Sequence, residues 1–457
     1  MIFNSFEFLL LFLPALLIVF FLLSVNRFRI WILIGASFLF YGLSGIEHAL
    51  ILFLQILWVF AFIRWDKFLG NRLALFLAII FPILSLVYYK YMGFIISNLL
   101  PFYEENGSSS FSLFENIILP AGISFFTFQT VSLAIDKYRG DIKETPKFRD
   151  LALYISFFPQ LVAGPIVRFH QVSDAIHGLS SFRIKHQDMI EALGFIIFGL
   201  AAKVLIADTL NLYVEPFKGS PSELSVISAL YVLFAYSFQI YFDFYGYSLI
   251  AIGLGRLFGF HLPDNFLRPY ESLNPKDFWR RWHVSLSYWI RDYLYMPLGG
   301  SDRHLRNILV IFTICGLWHG ADWTFIVWGL YHAVLVTGYN QFSRFWDRLP
   351  ALLQKAMNFS LVSVGWVLFL FNFSEAKEFL GSLLGFTANK LDAPSLESWA
   401  FLLLSAVICF FVHFERQAKY SHSTPLVSHI YSSSLAGLLL AVILFMDRSQ
   451  DFIYFRF

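Results

Sequence analysis

What most limits the fold of this chain is a series of apolar runs, each long enough to enter or cross about 30 Å of hydrocarbon. They recur from Phe6 to Phe445 with no polar linker between them. A bilayer core offers no water to backbone N–H and C=O groups. A spanning segment must therefore satisfy them within a helix or within a closed barrel. The runs are continuous rather than alternating, which excludes the barrel. The chain reads as an all-α polytopic membrane protein. Composition agrees: 58% of the residues are hydrophobic and only 14% charged, against about 45–50% and about 25% in soluble domains. A formal net charge of +2 gives no reason to expect nucleic acid as a partner. Two cysteines, Cys315 and Cys409, cannot form a disulfide framework. Phe6–Val25 has no basic region before it and no small-residue cleavage site after it, so it is expected to be a first span and not a cleaved signal.

Spans are expected at Phe6–Val25, Ile30–Tyr41, Ala49–Ile63, Leu73–Tyr91 and Ile117–Ile135. Basic residues follow the first (Arg27, Arg29), third (Arg64, Lys67, Arg72) and fifth (Lys137, Arg139, Lys143, Lys147, Arg149). The links Gly42–His48 and Pro101–Asn116 contain no Lys or Arg. That alternation puts the N-terminus outside and the basic links in the cytoplasm. Leu151–Phe169 is apolar but broken by Pro159, Gly164 and Pro165, with basic flanks on both sides. Such a segment dips in and returns, with protein or a water-filled cavity covering its backbone. Met189–Leu210 then crosses outward and Val226–Leu254 crosses back. The block Arg256–Arg306 is the largest cytoplasmic segment, and its aromatic part, Phe278–Met296, is expected against the membrane surface. Asn307–Leu317 and Thr324–Tyr339 form a helical hairpin with basic outer ends and its apex, His319–Trp323, at depth. Phe359–Phe373, Trp399–Phe414 and Leu435–Phe445 complete about eleven crossings. We read one membrane domain over 1–457, made of N-terminal helices (1–150), a core (151–340) and C-terminal helices (341–457), with no internal repeat.

A histidine that ends a dozen apolar residues costs free energy unless it faces protein or water, so His319 in G-L-W-H-G-A-D-W-T is a functional candidate. Gly316, Trp318, Gly320 and Trp323 give it a tight, ring-lined setting, and a neutral imidazole can take a proton from a hydroxyl or thiol. His283, in F-W-R-R-W-H-V-S-L, is the natural second group. On a continuous helix it shares a face with Trp279, Trp282 and Leu286. Asp243 sits inside a crossing, four residues after Gln239, and needs a cationic partner, for which Arg280, Arg281 and Arg291 are candidates. Gln160 and Arg168, in F-F-P-Q-L-V-A-G-P-I-V-R-F, are candidates to line the same cavity. His332, His48 and His413 read as packed or interfacial, and Cys315 as a small core residue. No histidine box with metal-ligand spacing is present, so no metal is expected.

Three blocks, F-F-P-Q-L-V-A-G-P-I-V-R-F, F-W-R-R-W-H-V-S-L-S-Y-W-I-R-D-Y-L-Y-M-P-L-G-G and G-L-W-H-G-A-D-W-T-F-I-V-W-G, resemble the signature blocks of the membrane-bound O-acyltransferases. Within that family the chain is most similar to the bacterial alginate O-acetyltransferase branch. The opening M-I-F-N-S-F-E-F-L-L-L-F-L-P and the closing F-I-Y-F-R-F resemble that branch too. The resemblance implies helices ringing a funnel, with His319 as the catalytic histidine and His283 as the second functional histidine. It also implies a bacterial inner-membrane enzyme that holds no cofactor. Acetyl or a small acyl group would pass from a cytoplasmic donor, acetyl-CoA or a carrier-bound thioester, toward an envelope or exported polysaccharide such as an alginate-like polymer or peptidoglycan. Arg280, Arg281 and Arg291, with Trp282, Trp318, Asp243, Gln160 and Arg168, are the expected substrate- and donor-binding residues. A flippase for a lipid-linked glycan is the alternative, although it has no use for a lone imidazole in a tryptophan-lined cleft. The outward links Pro101–Asn116 and Ser374–Ser398 are shorter than the roughly 50 residues a domain needs. They also lack a Ser/His/Asp set, so a separate periplasmic or membrane-anchored transferase of the serine-esterase kind is expected as partner.

The Lys/Arg asymmetry is directly testable. In a Cys315→Ser/Cys409→Ser background, a cysteine placed at Ser301 is expected to react with an impermeant maleimide only from the cytoplasmic side. Cysteines in Pro101–Asn116 are expected to react from the opposite side. Labelling at Ser301 from the periplasm alone would overturn the orientation.

Overall fold

The structure, a computed structural model, describes residues 2–23, 25–65, 68, 70–99, 117–386, 393–418 and 425–453. All regular structure among the described residues is helical. Among them, six helices are long and apolar enough to cross a membrane: Ile46–Arg64, Asn71–Asn98, His186–Lys218, Val226–Leu257, Ala351–Leu370 and His429–Arg448. Two shorter apolar helices, Glu7–Leu22 and Leu396–Phe411, join them. Six long and two short apolar helices thus stand among the described residues where about eleven crossings are expected. The second expected span is a helix of 14 residues, Arg29–Gly42, which at 1.5 Å per residue rises only about 21 Å. The fifth begins at Ile123 and not at Ile117. The link Pro101–Asn116 and the end of the closing F-I-Y-F-R-F motif lie outside the described residues.

The chain packs into two compact units, Met1–Ala192 with Ala251–Pro263, and Leu193–Ile250 with Asp264–Phe457. The first holds α1 (Glu7–Leu22), α2 (Arg29–Gly42), α3 (Ile46–Arg64), α4 (Asn71–Asn98), α5 (Ile123–Arg139), α6 (Phe148–Ser156), α7 (Phe158–Leu161) and α8 (Phe169–Gly178). Helix α5 is buried at every residue from Ile123 to Ala134. Two of its hydroxyls turn back on the helix's own carbonyls, Thr130 Oγ1 to Thr127 O and Ser132 Oγ to Gln129 O. The run Leu151–Phe169 is broken as its prolines require. One helix ends at Ser156 and the next covers only four residues. Its polar groups are satisfied by neighbouring protein. Phe158 N–H donates to Ser37 Oγ (3.1 Å), Tyr154 O–H to Val167 O (3.0 Å) and Gln160 Nε2 to Tyr154 O (2.6 Å).

Helices α9 (His186–Lys218) and α10 (Val226–Leu257) contribute most of their length to the second unit. They meet backbone to backbone: a Cβ on Gly199 would lie 2.6 Å from Gly246 O, and one on Gly246 2.6 Å from Gly199 O. Small residues let membrane helices approach this closely. The unit continues with α11 (Pro275–Trp279), α12 (Val284–Ile290), α13 (His304–His319), α14 (Trp323–Trp346), α15 (Ala351–Leu370), α16 (Phe373–Leu383), α17 (Leu396–Phe411), α18 (Phe414–Ala418) and α19 (Pro425–Phe445). The expected hairpin is α13–α14. The expected outward link Ser374–Ser398 is not all link. Its first part is α16, fixed at its start by a reciprocal Asn372/Glu375 capping box.

Candidate active site

The site is built on the α13–α14 hairpin. A Cβ on Gly316 would collide with Phe325 O, and one on Gly329 with Phe312 O. The two glycines therefore let each helix lie on the other's backbone. A Cβ on Gly320 would run into the Phe325 ring. Helix α13 stops at His319, the chain turns through Gly320–Asp322, and the Asp322 side chain caps α14 by accepting from Thr324 N–H (2.8 Å). His319 is thereby held at the end of a helix and buried, 2% exposed. Trp328 stands edge-on to it at 5.0 Å between ring centroids, with Phe369 at 5.3 Å and Trp318 at 4.9 Å.

His283 does not lie on a continuous helix with Trp279, Trp282 and Leu286, which corrects the shared face expected above. Helix α11 ends at Trp279, and His283 adopts a left-handed backbone (φ 45°) before α12 starts at Val284. Asn274 and Pro275 start α11, whose backbone has to turn away again to bring the next segment under Asn265. That asparagine is the anchor. Its carbonyl oxygen accepts from Ser285 Oγ (2.8 Å) and Ser285 N–H (3.3 Å), which fixes the amide's orientation. The group 3.1 Å away, His283 Nδ1, must then be the N–H donor, leaving the lone pair on Nε2. Full burial pushes the His283 imidazole down to about 3, so the ring is neutral at any physiological pH. On unfolding, the ring returns to its ordinary value of 6.5. The unfolded chain then binds more protons between these values, and His283 costs the fold stability as pH falls through that window. Phe244 packs edge-on against the ring at 4.8 Å and Trp318 at 5.8 Å. Trp318 thus touches both His283 and His319.

The same unit holds a cavity of about 240 Å³, lined by residues of α11, α12, α13 and α14 but by neither His283 nor His319. Its apolar wall includes Trp279, Ile311, Phe312 and Cys315, and its polar wall includes Lys276, Arg280, Arg291 and His304. Cys315 stands one helical turn before His319. Among the described residues, Lys276 and Arg280 have no carboxylate within ion-pair distance. Arg291 is tied to Asp292 (2.6 Å) and Arg281 to Asp277 (2.9 Å). Arg281 is outside the lining, and so is Trp282. The latter is fully buried, with its ring against Trp366 (4.8 Å) and Phe278 (5.6 Å).

Asp243 pairs with none of the three expected arginines. Its partner is Lys203, at 2.6 Å, itself 2% exposed and also 2.6 Å from Asp208. Lys203 was legible: it is the only Lys or Arg in the apolar run Met189–Leu210, and the reasoning that singles out Asp243 applies to it equally. Asn265 carried no comparable signal. Gln160 and Arg168 belong to the first unit. Gln160 is bonded to Tyr154 O there, and Arg168 N–H donates to Gln171 Oε1 (2.7 Å) at the start of α8. His332 is fully buried among rings, 4.8 Å from Trp328 and 5.1 Å from Trp279, as expected of a packed histidine.

Comparison with known proteins gives consistent matches. Residues 73–374 match the model of the membrane-bound O-acyltransferase family. A peptidoglycan O-acetyltransferase of Helicobacter pylori is 33% identical over 446 residues, covering 88% of this chain and 83% of the relative. A probable alginate O-acetylase of Pseudomonas aeruginosa is 34% identical over 443 residues, covering 90% and 81%. A teichoic acid D-alanyltransferase of Bacillus subtilis is 32% identical over 275 residues, covering 56% and 69%.

The hairpin argument predicts a sharp contrast between two glycines. Gly316→Val forces the helices apart and is expected to cost about 1–3 kcal/mol or more, read as a lower thermal transition in detergent. Gly338→Ala, on the same hairpin but with nothing within 4 Å of the new Cβ, is expected to leave the transition in place. Equal transitions for Gly316→Val and the parent would refute the close approach.

Proposed function

The chain belongs to the membrane-bound O-acyltransferase family, and on that premise we propose that the His319–Trp318–His283 arrangement is where acyl transfer occurs. It is a multi-pass membrane acyltransferase. The relatives above are named as transferases of acetyl or D-alanyl groups, and the flippase alternative finds no support among them. The acyl group assigned here is acetyl, the final acceptor is a hydroxyl of an envelope or exported polysaccharide, and the reaction takes place at the bacterial inner membrane. The observation that carries the assignment of the site is the burial of two imidazoles against one tryptophan in the unit that holds a cation-lined cavity.

The chemistry follows from the residues. The donor is a thioester on an anionic carrier, acetyl-CoA or a carrier-bound pantetheine. Lys276 and Arg280 supply positive charge for its phosphate, and the apolar wall toward Cys315 takes the slender acyl-bearing arm. His319 accepts the proton of the first acceptor's hydroxyl, the serine of the partner transferase, as that oxygen attacks the thioester carbonyl. The C–O bond forms, the C–S bond breaks, and the proton passes to the departing thiolate. His283, neutral and held through Nδ1 by Asn265, presents Nε2 as the acceptor nitrogen of its ring and orients a proton on the reacting groups. No cofactor takes part. Because Ser374–Ser398 is partly helix and the remaining outward residues are few, the acetyl group is passed to polymer by a separate transferase of the serine-esterase kind.

Three measurements in whole membranes, which hold partner and acceptor, test this reading with labelled acetyl-CoA as donor. His319→Ala is expected to reduce transfer to background while insertion stays normal. His283→Ala is expected to cut the rate by about 10²–10⁴-fold. Arg280→Ala is expected to raise the KM for acetyl-CoA with little change in kcat, the mark of lost ground-state binding. Parental rates from His319→Ala would refute the catalytic assignment. Full-rate acetylation of polymer by the purified chain alone would refute the partner.

A further inference from the structure

The second unit contains a fully buried charge cluster that the acyl-transfer chemistry leaves unused. Lys203, Asp208 and Asp243 are 2%, 3% and 3% exposed. The lysine Nζ lies 2.6 Å from a carboxylate oxygen of each aspartate. Lys203 sits in a stretch of α9 that widens into π-helix, Ala201–Ala207, a distortion often found where a helix serves a function. Three buried charges are a costly way to gain stability, since apolar residues of similar volume serve as well or better. What such a cluster supplies is a fixed geometry.

What it fixes is the end of the described chain. The second oxygen of each aspartate reaches the segment 449–453. Asp208 Oδ2 accepts from Ser449 Oγ and Gln450 N–H (both 3.3 Å), and Asp243 Oδ2 accepts from Ile453 N–H (2.9 Å). Lys203 Nζ adds a bond to Asp451 O (3.4 Å). Held there, Phe452 is 1% exposed and packs on Tyr247 (4.7 Å) and Phe244 (5.5 Å). Phe244 is the ring that stands edge-on to His283 at 4.8 Å. His283 itself has the left-handed backbone that costs a non-glycine residue of order 1–3 kcal/mol and persists only where its surroundings over-determine it. Asn265 holds the ring on one side, and Phe244, backed by Phe452, holds it on another.

We propose that Lys203, Asp208 and Asp243 are positioning residues, and that they clamp segment 449–453 so that Phe452 and Phe244 set the orientation of His283 for acyl transfer. The proposal rests on the role given to His283 above. Lys203 and the two aspartates do not touch substrate; they act through the tail and two aromatic rings.

The test is a pair of double-mutant cycles on the full chain in membranes, following labelled acetyl-CoA with enough sensitivity for residual rates. Phe452→Ala keeps every charge in place, and Asp243→Asn keeps an acceptor for Ile453 N–H. Each is expected to lower kcat about tenfold with the KM for acetyl-CoA within about twofold. Combined with His283→Ala, each is expected to lower the remaining rate by less than about twofold, because residues acting as one unit are not additive. Phe452→Leu, which keeps an apolar body against Phe244, is expected to recover most of the loss. Equal fold-losses in both backgrounds, or a change in KM alone, overturn the proposal. If Asp243→Asn fails to fold, the Phe452 cycle still decides. A His283→Ala protein with the parental rate would instead strike down the site reading, and the single variants show that before any combination is made.

Discussion

The reciprocal contact of α13 with α14 underlies the other features of the site. Gly316 lies on the Phe325 carbonyl and Gly329 on the Phe312 carbonyl, so the two helices are spaced by backbone and not by side chains. In hydrocarbon no hydrophobic force drives helices together, and such close contact is what makes packing between them favourable. Three consequences follow. The chain must turn within Gly320–Asp322, His319 becomes the final residue of its helix, and Trp328 on the returning helix is brought edge-on to the imidazole. A wider hairpin would leave the same histidine in a looser setting, and small displacements of a reacting group are expensive in rate.

Charge is divided between two places with different tasks. Lys203, Asp208 and Asp243 are paired with one another, out of contact with solvent, and bound to the tail of the chain. Lys276 and Arg280 line the cavity and, among the described residues, have no carboxylate within ion-pair distance. The first arrangement suits fixed geometry and the second suits an anionic ligand that comes and goes. The two imidazoles are packed instead among aromatic rings, His283 against Phe244 and Trp318, and His319 against Trp318, Trp328 and Phe369.

The broad architecture was legible because it depends on composition and run length, which a bilayer reads directly. The hairpin was legible as well, since its basic outer ends and its Trp-His-Gly apex are local in sequence. Three features were not. The segment Phe278–Leu286 has helical spacing of its large residues, but His283 takes a left-handed conformation because Asn265, 18 residues earlier, satisfies its ring. Tertiary hydrogen bonding here overrides local periodicity. Asp243 is expected to pair with Arg280, Arg281 or Arg291 of the aromatic block, whereas the structure gives it Lys203, 40 positions before it. A buried carboxylate takes the cation that shares its low-dielectric surroundings, and sequence distance carries no information about that. The boundary between short and long apolar helices was also invisible, because a run of 14 residues can be a buried helix as readily as part of a span.

The central claim is that the thioester reaches His319 through the cavity beside α13. A photo-activatable acetyl-CoA analogue with a diazirine in the acyl group, cross-linked to the purified chain and mapped by mass spectrometry, tests it most directly. The account predicts adducts within Ile311–His319 and at Trp279, competed away by acetyl-CoA and weakened by Arg280→Ala. Adducts confined to the Gln160–Arg168 segment, with α13 unlabelled, would contradict it.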